Sequence, residues 1–114
     1  MSMARANYSP DHKEVLDSFL LKMPGVVPGK MFGYPAYYTN GKLFACLYEG
    51  GVGIKVPEEL AEELIGKEGM IHFQPLGRRK MKEWVRIDRK GSMDYLKDRG
   101  IFERSVEFVS SLKN

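Results

Sequence analysis

One cysteine, one tryptophan and two histidines are all that this chain of 114 residues offers of the side chains richest in covalent, metal and redox chemistry. The single thiol, Cys46, excludes an internal disulfide, and with only His12 and His72 beside it no usual zinc set can be assembled. No apolar run approaches the roughly 18 residues of a membrane-spanning helix. The residues before Pro10 lack the apolar stretch of a secretory leader. These scarcities predict a reduced, metal-free and cofactor-free protein in the cytoplasm. Repeats and low-complexity segments are missing as well, and the length suits one domain with no room for a second catalytic lobe. What is there is ordinary for a globular chain, 43% hydrophobic and 29% charged, and a net charge of +3 is too small an excess to name a partner.

The most informative stretch is residues 30–55. Asn40-Gly41 and Gly50-Gly51 each lie between runs rich in β-formers, and such pairs favour two-residue turns because type I′ geometry needs positive φ at both central positions. The reading is a three-stranded antiparallel meander in which Thr39 opposes Lys42, Tyr37 opposes Phe44 and Leu47 opposes Ile54. Alternation then assigns the faces. Tyr34, Ala36, Tyr38, Leu43, Ala45, Leu47, Val52, Ile54 and Val56 form the predicted core face. Tyr37, Thr39, Lys42, Phe44, Cys46, Tyr48, Gly53 and Lys55 form the other, where aromatics mixed with lysines suit an interface.

Around the meander the sequence predicts helices at both ends. Residues 1–8 read as a flexible tail and 9–114 as the single domain. Ser9 before Pro10 and Asp11 is an N-cap signature, and Val15, Leu16, Phe19, Leu20 and Met23 recur at helical spacing until Pro24-Gly25 ends the run. Residues 26–29 read as a connector. A short helix follows from Pro57 to Gly66, with Glu58 and Glu59 at its positive end. Residues 70–73 are a short edge strand, 74–82 a polar loop and 83–87 a further strand. From Ser92 the pattern gives a short helix, a break near Gly100 and a longer helix to Leu112. The predicted class is α+β, an antiparallel sheet flanked by N-terminal and C-terminal helices.

Two motifs carry a family resemblance. Lys30-Met31-Phe32-Gly33, then an apolar strand and the Asn40-Gly41 turn, and later Gly77-Arg78 with Met81 and Trp84-Val85, resemble the paired signatures of the TfoX/Sxy N-terminal domain family, and together they span most of the chain. The sequence departs from that pattern in having Tyr34 where a second glycine is frequent. The resemblance implies a secretion-chaperone-like layer fold in a bacterial regulator with no catalytic chemistry, acting through protein–protein interaction, homodimer formation included. The founding competence regulators carry a further C-terminal domain that this sequence lacks, so competence regulation itself is not implied.

Each candidate for chemistry has a plainer reading. Cys46 lies mid-strand with no histidine nearby in sequence, which suits a small packing residue better than a nucleophile. His12, in the first turn of a helix, reads as a neutral surface residue, and His72 as a solvent-facing residue of an edge strand. The acids Glu58, Glu59, Glu62 and Glu63 share one solvated helix face. Gly50-Gly51-Val52-Gly53 sits in a hairpin and lacks the helix start of a phosphate loop. Two features remain. The first is the face bearing Tyr37, Phe44 and Tyr48 with Lys42 and Lys55, expected to be a protein interface unless residues 70–87 fold over it. The second is residues 78–90, with seven cations against two acids, where Arg78, Arg79, Lys80, Lys82 and Arg86 beside Trp84 would bind nucleic acid through backbone charge and base stacking. The preferred function is a non-enzymatic regulatory interaction module; the alternative is a nucleic-acid-binding regulator.

Overall fold

Ser9 does what its place before Pro10 predicts. Its hydroxyl accepts the amide of His12 at 3.2 Å and starts helix α1, Pro10–Leu20. The structure, a computed structural model, describes residues 7–77 and 79–112. After α1 come β1 (Val26–Met31), β2 (Tyr34–Thr39), β3 (Lys42–Tyr48), β4 (Gly51–Lys55), α2 (Glu58–Leu64), β5 (Met70–His72), β6 (Trp84–Asp88) and α3 (Arg99–Ser111), with 3-10 turns at Pro75–Gly77 and Ser92–Asp98. The strands form one antiparallel sheet in the order β1-β2-β3-β4-β6-β5. The class is α+β.

Register departs from the sequence reading in one place that matters. Asn40 (φ 54) and Gly41 (φ 76) form the expected turn and pair Thr39 with Lys42 and Tyr38 with Leu43. The next pair is Tyr37 with Ala45, so Phe44 is an extra residue on β3. A bulge places two consecutive residues on the same side and reverses the alternation of one strand relative to its partner. Phe44 and Ala45 therefore both face the helices, and Tyr37 turns inward with them. Tyr34, Ala36, Tyr38 and Leu43 go to the opposite face with Cys46 and Tyr48. The face assignment for β2 and for Leu43 and Phe44 is thus reversed, whereas Ala45, Leu47, Val52, Ile54 and Val56 are core as expected. The second turn is Glu49-Gly50 rather than Gly50-Gly51, which pairs Leu47 with Val52. That shift is by two residues, so it leaves the faces of β3 and β4 unchanged.

On the helix side Leu16, Phe19 and Leu20 of α1 and Phe102 and Val109 of α3 pack on Phe44, Leu47, Val52, Ile54, Val85 and Ile87, each fully buried large side chain contributing about 1.5–3 kcal/mol. The Ser105 hydroxyl of α3 reaches the carbonyl of Phe44 at 3.3 Å and also that of Lys55, so the bulge is a fastening point for the helix. Tyr37 donates its hydroxyl to Asp17 at 2.6 Å, and burial with that carboxylate raises its pKa. At the other end Arg89 grips Asp98 with two hydrogen bonds (2.6 and 2.9 Å) and donates to the carbonyl of Glu68 at 2.9 Å, locking the start of α3 to the β5 edge.

Other readings change as well. Residues 26–29 belong to strand β1, because a proline that cannot donate to a ladder is tolerated at a sheet edge. Tyr8, assigned to the tail, bridges to Glu49 and packs on both cores, while residues 1–6 lie outside the described residues. Gly100 lies within the first turn of α3; the change from 3-10 to α geometry comes at Asp98–Arg99.

Candidate interaction surface

The second face of the sheet is half covered. Phe73 leaves β5 and lies over Gly53, where a Cβ would come within 2.5 Å of its ring, and it meets Tyr48 edge-on at 5.6 Å and Trp84 at 5.5 Å. Phe73 and Met81 thus form a strap over Cys46, Tyr48 and Gly53. Tyr37 and Phe44, expected at an interface, are 1% and 0% exposed in the main core, and Tyr48 is buried beneath the strap. Of the remaining two, Lys42 is half-buried beside the turn and Lys55 pairs with Glu83 at 3.8 Å. The expected interface is therefore interior: the bulge turned two of its aromatics inward and the strap covered the third.

Part of the basic window lies between Phe73 and Trp84 in the chain. Arg79, Lys80 and Lys82 are exposed, and Arg78 lies outside the described residues. Arg86 does not join them, because it pairs with Asp88 at 2.8 Å and Glu49 at 3.7 Å and lies over the Tyr48 ring. Arg89 is held by Asp98. Trp84 is half-buried against Phe73, with Met81 in the same cluster, and Val85 is in the main core.

The reactive side chains are tied down. Cys46 is fully buried and burial pushes its thiol up to about 12. His12 is buried, not on the surface, edge-on to Tyr95 at 4.9 Å, with Nδ1 lacking a hydrogen-bond partner among the described residues and burial lowering its pKa. His72 shares a face with Val85 and lines a groove against α2. Among the described residues no three His, Cys, Asp or Glu side chains gather as metal ligands, and no helix is long and apolar enough to cross a membrane.

What sequence reasoning missed lies at the tip of the first hairpin. Phe32 (φ 51) and Gly33 (φ 84) make the same two-residue turn as Asn40 and Gly41, joining Met31 to Tyr34. Asn is among the residues that favour the first central position; a phenylalanine there is strained by roughly 1–2 kcal/mol. Glu49, also at positive φ, has the bridge to Tyr8 and the ion pair with Arg86 to offset it. Phe32 is 65% exposed and belongs to neither core cluster. Around it Val27 is exposed and Met31, Tyr38 and Leu43 are half-buried on the uncovered half of the second face. The Tyr38 ring lies on Gly29 and donates its hydroxyl to the carbonyl of Lys30 at 2.9 Å, which fixes the hairpin. The signal was in the sequence, since a Phe-Gly pair between two strand-like runs is a turn with a residue that gains nothing locally from being there. The chain matches no family model, no curated protein and no solved structure.

Proposed function

We propose that this chain is a regulatory protein-interaction module of the TfoX N-terminal type, working by binding rather than catalysis in the cytoplasm, with the Phe32 hairpin tip as its anchor. The observation that carries the reading is a strained, exposed aromatic that belongs to neither core cluster of the described residues. Backbone strain of this kind persists at recognition sites, and large rigid aromatics dominate binding energy once a partner desolvates them. Lys30-Met31-Phe32-Gly33, the first motif of the family resemblance, forms this tip. The nucleic-acid alternative rests on the exposed Arg79, Lys80 and Lys82, and is weaker because Arg86 and Arg89 are committed to carboxylates and Trp84 to Phe73.

A photoreactive phenylalanine analogue at position 32, irradiated in an extract of the native cell, should give discrete protein adducts. The same analogue at Asn40, exposed in the sister turn, should not. Indistinguishable patterns from the two positions would contradict the reading.

A further inference from the structure

The uncovered tip has a counterpart on the same molecule. Between α2 and β5 lies a groove of about 330 Å³ with Ala61 and Ile65 among its apolar lining, Glu58 and Glu62 from the helix, and His72 and Lys82 opposite. Its size falls within the range of sites that take a small organic group. Glu58, Glu59, Glu62 and Glu63 are all exposed, and none takes part in an ion pair among the described residues. Lys30, beside Phe32, is likewise exposed and has no ion pair among the described residues. An aromatic side chain flanked by a cation meets a groove with an apolar floor and acids along its helix side.

Resting on the anchor role of Phe32, we infer that the partner is a second copy of this chain, with Phe32 of one copy seated in the α2 groove of another and Lys30 facing Glu58 and Glu62. The contact joins different molecules because of the strand order. β1 forms one edge of the sheet, and β5, with α2 packed nearby on β6, forms the other, so the tip cannot reach its own groove. Joining unlike surfaces makes the contact head-to-tail, so copies either close into a ring or leave a free tip and a free groove at the ends of an open assembly. Charge pairing at an exposed rim also makes the association weaken as salt rises.

Sedimentation velocity on the purified full chain over a concentration series tests this. The wild type should show a sedimentation coefficient that rises with concentration and falls with added salt. Phe32→Asn, which suits the turn, and Glu58→Lys with Glu62→Lys, which alters only exposed positions, should each weaken self-association about tenfold or more. An equimolar mixture of these two proteins should form a one-to-one complex, since one supplies the groove and the other the tip. A wild type that stays monomeric throughout, variants that associate as the wild type does, or a mixture that stays monomeric would each overturn the proposal. The analogue at position 32 separates the two readings: adducts in the cell extract with none in the purified protein would sink self-association and leave the anchor role standing, whereas adducts in neither would sink both.

Discussion

Two buried polar side chains in this protein are satisfied in opposite ways. Ser105 reaches carbonyls of Phe44 and Lys55, whereas His12 has an Nδ1 with no hydrogen-bond partner among the described residues and an edge-on tyrosine as its neighbour. Burial pulls the imidazole below its ordinary value of 6.5, and the nearby Asp11 and Asp88 pull the other way but less strongly. The folded state therefore rejects a proton that the unfolded chain accepts. With the folded value depressed for a base, stability is full above the unfolded value and declines as pH falls through 6.5 toward the folded value. The effect should show as loosened docking of α1 on the Ser92–Asp98 segment, where Tyr95 sits. In urea melts taken from about pH 8 to about pH 5, His12→Phe should flatten the decline seen in the wild type. Equal slopes in the two proteins would mean that His12 titrates as it does in the unfolded chain.

At the scale of elements, the strap and the bulge decide which aromatics are interior. Phe73 sits over Gly53 because that position lacks a Cβ, and Gly53 is paired with Cys46 on β3. Gly53→Val should expel the ring at a cost of about 1–3 kcal/mol. The strap should then lift from Cys46, so thiol labelling should accelerate and Trp84 fluorescence should shift as its contact with Phe73 is lost. Unchanged labelling in a folded Gly53→Val protein would show that the strap does not shield the thiol. Much of this architecture was legible in the sequence. The Ser9-Pro10 cap, the Asn40-Gly41 turn and the apolar alternation of β3 and β4 are local signals, and each produced its element. The Phe44 bulge was not legible, because nothing local marks an extra residue; what supports it is Ser105, 61 positions away in the chain. β1 was hidden by Pro28-Gly29, which read as breakers when an edge strand accepts both. Strict alternation therefore places Tyr37 and Phe44 on a surface, and it gives no role to Phe32 in the neighbouring turn.

At the scale of the whole molecule the sheet has two unlike edges, an exposed aromatic tip with Lys30 at one and an acid-rimmed groove at the other. The central claim is that Phe32 is kept in a strained backbone for an external contact. Phe32→Asn tests it most directly, because the substitution separates the two quantities that the claim links. Placing Asn where its twin turn already has one should relieve strain and raise stability by about 1 kcal/mol, a gain of several degrees in melting temperature for a domain of this size. Self-association measured on the same preparation should fall. A protein that melts higher and sediments as a monomer is the predicted result; a lower melting temperature, or self-association equal to that of the wild type, would contradict it.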